Sequence, residues 1–86
     1  MRHHINELLL MQLEENECLL AAGYDKALIG ITEGVNPVAV YDAQLCIKCL
    51  IEEDNMSRED AVDFFYYNTL GSQLGEKTPI YINTHE

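Results

Sequence analysis

The sequence predicts an α+β fold: one small domain spanning residues 1–86, with element order α-β-β-α-α-β and a small antiparallel sheet packed on helices. Three observations lead there. Apolar residues recur at helical spacing in three stretches. Three short runs are rich in Val, Ile and Tyr, as strands are. Turn and capping residues separate the two kinds of segment.

The first helix is expected over 5–22. At helical spacing Ile5, Leu8, Leu9, Leu13, Leu19 and Leu20 share one arc, and Glu7, Glu14, Glu15 and Glu17 share the opposite one. Gly23 supplies a stop. Strands follow at 27–32 and 37–41 around the loop EGVN, which reads as a hairpin. Pro37 can open a strand but cannot sit in the middle of a ladder. Asp42 is the expected N-cap of a helix over 43–53, with Ala43, Cys46, Ile47 and Leu50 as its buried stripe. The stretch EDNM breaks that helix. Ser57 caps the next one, and Glu59 and Asp60 in its first turn suit the helix dipole. Its expected buried face is Ala61, Val62, Phe64 and Phe65, and Leu70-Gly71 ends it. The run PIYIN, 79–83, is the third strand. The ends, 1–4 and 84–86, are expected to be mobile.

Composition bounds the function. A chain of 86 residues buries only roughly 60–65% of its unfolded surface, so the core is thin. Three cysteines do not read as a disulfide framework. Acids interrupt the apolar run after His3 and His4, so no secretory signal is expected, and no stretch reaches the about 20 apolar residues of a membrane span. A reducing cytoplasm and self-association as a homo-oligomer are the expectations that follow. Fifteen acids against five Lys and Arg give a formal net charge of −10. Nucleic acid and anionic membranes are therefore poor partners, and a protein with a basic surface is a good one. Acidity can equally serve solubility alone.

The stretch GSQLGEKT, 71–78, approaches a phosphate-binding loop, G-x-x-x-x-G-K-[ST]. Its second glycine is one place early, and Glu76 stands where that glycine belongs. Such a loop leaves a strand and enters a helix. Here it leaves a helix and enters Pro79 and a strand. It reads as a turn, with Gly71 as a left-handed helix cap, Gly75 as a second positive-φ position, and Glu76 capping amides of the same loop.

The segments GYDKALIGI (23–31), VAVYDAQLCIKCL (38–50) and FFYYNTLGSQLGEKTPI (64–80) resemble a family of small uncharacterised bacteriophage proteins. The family pattern is G-[YF]-D-x-A-[LI]-I-G-I, then V-x-Y-D-x-x-x-C, then F-x-x-N-x-x-G-x-x-x-G-E-x-T-P; it spans about two thirds of the chain, which departs from it at Ala39, where the pattern has Val. The resemblance implies a phage protein at work in the host cytoplasm. It implies no activity. By analogy with other small phage proteins, inhibition of a host or anti-phage defence protein is the expectation.

Candidate sites follow from residue types. Cys46 and Cys49 form C-x-x-C, which at a helix start can be a redox pair. In mid-helix, with Cys46 on the apolar stripe, they read as core thiols. The three histidines lie near the termini without ligand spacing to the cysteines, so no metal and no other cofactor is expected. No Ser-His-Asp or Cys-His set supports nucleophilic catalysis, and no catalytic residue is assigned. Asn68 falls on the apolar face of the third helix, where a buried amide needs partners. It is either a loop anchor or, with Asp25, Glu76 and Thr78, the lining of a polar ligand pocket. Two carboxylates beside an amide leave acid–base chemistry as a third reading. Tyr66 and Tyr67 leave the core stripe among Glu59, Asp60 and Asp63. Aromatic area beside negative charge suits an arginine-rich partner, although packing on the rest of the domain would also account for it. Met11 and Cys18 on the acidic arc are candidates for a contact with a second copy. The leading expectation is a protein-binding module that docks on a host protein, blocking a defence or nucleic-acid-binding surface. The alternative is a small-ligand binder.

Overall fold

The computed structural model describes residues 7–71 and 75–84. Of the ends expected to be mobile, 1–4 and 84–86, residues 1–4 and 85–86 lie outside the described residues, as do the three histidines and part of the 71–78 turn; Thr84 is described and donates its hydroxyl to Asp42. Strand β2 (Ala39–Asp42) is central in a three-stranded sheet, between β1 (Leu28–Ile31) and β3 (Ile80–Ile82). The hairpin β1–β2 is antiparallel, as predicted, with one irregularity at Ile29 between the pairs Leu28↔Tyr41 and Gly30↔Val40.

The third strand corrects the expectation of an all-antiparallel sheet. β3 runs parallel to β2, so the sheet is mixed. Parallel neighbours need a crossover of a dozen or more residues. Helices α2 (Ala43–Glu53) and α3 (Arg58–Phe64) and the following loop supply it. The register places Tyr41 beside Tyr81, and their rings stack at 5.7 Å.

Helix α2 has the predicted bounds because both ends are chemically marked. One oxygen of Asp42 accepts the amides of Gln44 (2.8 Å) and Leu45 (3.1 Å). At the other end Asn55 turns left-handed, φ 59°, and the Met56 amide reaches back to the Leu50 carbonyl at 3.3 Å. Asparagine tolerates that conformation better than most residues. Ala43, Cys46, Ile47 and Leu50 are buried as expected, and Cys49 joins them. Ser57 caps α3 by accepting the Asp60 amide at 3.1 Å.

Helix α1 (Glu7–Glu15) is shorter than the predicted 5–22. It closes by a Schellman motif: the Cys18 amide bonds the Leu13 carbonyl (2.9 Å) and the Glu17 amide bonds the Glu14 carbonyl (3.0 Å). Glu17 takes the left-handed position, φ 56°. The following segment gives up helical bonds for distant ones. The Cys18 thiol donates to the Pro37 carbonyl, the Leu19 amide to the Lys77 carbonyl, and the Ala21 amide to the Tyr41 hydroxyl at 2.8 Å. Leu19 and Leu20 are consequently exposed; within α1 Leu8 is exposed too, and Leu13 carries the burial of the helix.

α3 continues into a π-helical turn, Phe65–Thr69, closed by the Leu70 amide on the Phe65 carbonyl at 2.7 Å. Phe65 is fully buried, edge-on to Tyr24 (6.5 Å) and Tyr81 (5.4 Å). Phe64, expected in the core, is 38% exposed. Gly71 is also corrected. Its φ is not left-handed; a Cβ there would sit 3.1 Å from the Tyr67 carbonyl oxygen, so glycine answers to space. Gly75 does have positive φ, 100°.

Two stability outcomes follow. Asp42→Ala removes an N-cap and leaves part-buried donors without their acceptor, and should cost about 1–2 kcal/mol in urea unfolding; Asp42→Asn, which keeps a cap oxygen, should cost less. Glu17→Gly relieves a left-handed non-glycine residue and should stabilise by about 0.5–1 kcal/mol. A loss of stability on Glu17→Gly would contradict the Schellman assignment.

Candidate functional site

The π-helical turn decides which side chains of 65–70 face outward. In an α-helix, the position above Ala61 and Phe65 would fall to Asn68. The inserted residue delays it, and Thr69 turns inward instead. Its hydroxyl meets the Tyr24 hydroxyl at 2.7 Å. Asn68 is exposed, which corrects its expected burial. Neither Tyr24 nor Thr69 stood out in the sequence, because the pairing depends on a non-α turn and on a bond between residues 45 apart.

Two depressions flank Phe64 and Asn68. The first, about 400 Å³, is a cleft against the 20–24 segment. Leu20, Ala22, Tyr24, Leu50, Phe64 and Tyr81 give it mainly carbon walls. Asp54, Asn68 and Thr69 supply polar atoms. The second, about 380 Å³ and shallower, is lined by Met56, Asp60, Asp63, Phe64, Tyr67 and Asn68. Tyr67 is 80% exposed there.

The predicted contact residues divide. Tyr67, Asp60 and Asp63 share the second depression. Glu59 joins through Asp63, with which it lines a further hollow beside Arg58 and Val62. Tyr66 is half-exposed and its ring leans edge-on against Phe65 at 5.2 Å. It is tied to the core, and Tyr67 is the freer ring. Among the described residues the ion pairs are Lys26–Glu53 and Lys48–Glu52, neither on this face.

The predicted pocket set does not line the cleft together. Asn68 does. Asp25 opens the 3₁₀ turn Asp25–Ala27 and is exposed. The Glu76 backbone carbonyl accepts a hydrogen bond from the Asn36 side-chain Nδ2 at 2.8 Å, which fastens the turn to the β1–β2 loop. The Thr78 hydroxyl donates to the Gly75 carbonyl at 2.7 Å. Met11 is exposed, and Cys18 lies beyond α1 with its thiol on Pro37.

Cys46 and Cys49 are buried. Desolvation pushes the Cys46 thiol up to about 12, with the Cys49 and Asp42 charges adding to it, and raises Cys49 as well. A nucleophilic redox pair needs the opposite shift. Burial likewise raises the Tyr81 phenol to about 12. Among the described residues no cluster of His, Cys, Asp and Glu could hold a metal ion, and no helix is long and apolar enough to cross a membrane. The chain matches no protein-family model, no curated protein and no solved structure.

A thiol that ionises near 9 when unfolded and about 12 when folded keeps its proton longer in the native state. The unfolded chain binds fewer protons in between, so stability should fall as pH rises from 9 toward 12. A disulfide-forming thiol probe at neutral pH should label half-buried Cys18 first and reach Cys46 and Cys49 only on unfolding. Fast labelling of Cys46 in the native protein would contradict its burial.

Proposed function

We propose that this chain is a small acidic protein-binding module, and that the face built by α3 and its π-helical turn docks on a basic protein surface. The observation that carries the reading is Tyr67, largely exposed, in one depression with Asp60, Asp63 and Phe64. A tyrosine offers wide contact area and a hydroxyl at low entropy cost, and its ring face attracts cations. Carboxylates beside it select guanidinium and ammonium groups and speed the encounter through the net charge of −10. Glu59 extends the acidic rim. Tyr66 supports the face from its seat on Phe65.

The resemblance of 23–31, 38–50 and 64–80 to small bacteriophage proteins supplies the setting. We read the chain as a phage protein that acts in the bacterial cytoplasm by covering a host protein, with a defence or nucleic-acid-binding protein as the target class. A surface that binds nucleic acid is rich in Lys and Arg, and an acidic face competes for it directly.

Affinity capture from bacterial lysate, followed by binding measurements on the purified partner, tests this. Tyr67→Ala should weaken binding at least tenfold, as truncation of a central aromatic anchor does. Asp60→Asn/Asp63→Asn should weaken it and flatten its salt dependence. Tyr66→Ala should matter less. A partner that binds all variants equally, or whose affinity ignores salt, would place the interface elsewhere.

A further inference from the structure

The cleft and the acidic depression share a wall made of Phe64 and Asn68. This placement says more about the partner than its charge. We infer that the two hollows act together on one short segment of the partner: a large apolar side chain enters the cleft, and an arginine or lysine nearby in that segment enters the depression. The inference rests on the binding-module reading above and adds a recognition pattern to it.

The shape of each hollow assigns its occupant. The cleft, about 400 Å³, lies toward the small end of ligand sites, which run about 300–1,000 Å³. It suits one large side chain better than a cofactor. Its floor is carbon from Leu20, Leu50, Phe64 and Tyr81, so the occupant must be apolar. The Tyr24 and Thr69 hydroxyls already bond each other at 2.7 Å, so the cleft wall makes few demands for polar atoms. Across the wall, Asp60 and Asp63 sit beside the rings of Phe64 and Tyr67. A planar guanidinium can lie on such a ring and still face a carboxylate. Asp54 lines the cleft on the other side, so carboxylates flank Phe64 in both directions. That charge pattern favours a segment whose apolar residue stands among basic ones. It disfavours a purely apolar ligand and a second copy of this chain, whose surface carries the same excess of acid.

The test is a ¹⁵N-¹H NMR titration with four probes: N-acetyl-leucinamide, N-acetyl-argininamide, and the peptides Ac-Leu-Arg-NH₂ and Ac-Leu-Gly-Arg-NH₂. Leucinamide should shift amides around Ala22, Tyr24 and Thr69, and argininamide those around Asp60, Asp63 and Tyr67. At least one linked peptide should shift both sets and bind roughly tenfold tighter than either single probe, as joined contacts do. Ala22→Leu, at an exposed position on the cleft wall, should block leucinamide and leave argininamide unchanged. Asp63→Asn should do the reverse. Argininamide shifts without leucinamide shifts would overturn the two-hollow inference and leave the acidic-face reading standing. Leucinamide shifts alone would overturn both. Leucinamide shifts spread equally over Met11, Ile80 and Ile82, or linked peptides no tighter than the single probes, would also overturn the inference.

Discussion

Asp42 is the residue on which the rest of the structure turns. It ends the central strand and caps α2 with no linker between them. It is the buried charged residue among those described. One carboxylate oxygen holds two amides of the first turn of α2, and the other accepts the Thr84 hydroxyl just past β3. Gln44 adds a bond to Asn83 at 3.0 Å. A single side chain thus fixes the exit angle of α2 and ties down the strand that arrives two helices later. A bond to an ionised acceptor contributes about twice what a neutral one does. In a domain with so little core, three such bonds on one carboxylate outweigh most single apolar contacts. The angle they set carries Cys46, Ile47 and Leu50 onto the sheet, and the anchored end of β3 keeps Tyr81 stacked on Tyr41.

The second constraint is the π-helical turn after α3. Such turns are less favourable than α-helix and tend to occur where function requires them. Here the extra residue separates two demands on one short stretch. Phe65 and Thr69 serve the interior, against Tyr24 and Tyr81. Phe64, Tyr67 and Asn68 are left at the surface, where they bound the two hollows. A regular α-helix would draw Asn68 toward the core. The tight approach of Gly71 to the Tyr67 carbonyl belongs to the same arrangement, because any side chain at 71 would press on the turn.

What the sequence made legible was local chemistry. α2 could be read to the residue because Asp42, the apolar stripe and the EDNM break all mark it. The acidic aromatic face was legible for the same reason, since Asp60, Asp63 and Tyr67 lie three and four residues apart on a helix. Long-range relations were not. The direction of β3 depends on how two helices and a loop return the chain, although the two helices between β2 and β3 already permitted a parallel crossover. The end of α1 was misplaced because Leu19 and Leu20 continue the helical spacing, while distant bonds to Pro37, Tyr41 and Lys77 draw that segment out. The cleft is assembled from the 20–24 segment, α2, the helix-to-π region and β3, so no one stretch announces it.

Charge connects the fold to the proposed role. A net charge of −10 on 86 residues repels itself and works against the folded state. Among the described residues three cations are engaged away from α3: Lys26 with Glu53, Lys48 with Glu52, and Lys77 with the Pro37 carbonyl. Arg58 lies on α3 beside Glu59 and Asp63 and offsets part of their charge, but Glu59, Asp60 and Asp63 together leave the helix net negative. Screening by salt acts on this charge with opposite sign in two settings. In the free chain it relieves repulsion and favours folding; in a complex with a basic partner it weakens attraction. A basic partner would do for these acids what an internal cation network does in other small domains, and any ligand that binds only the folded chain adds its binding free energy to stability. The charge imbalance is a cost to the isolated domain, and association with such a partner would offset it.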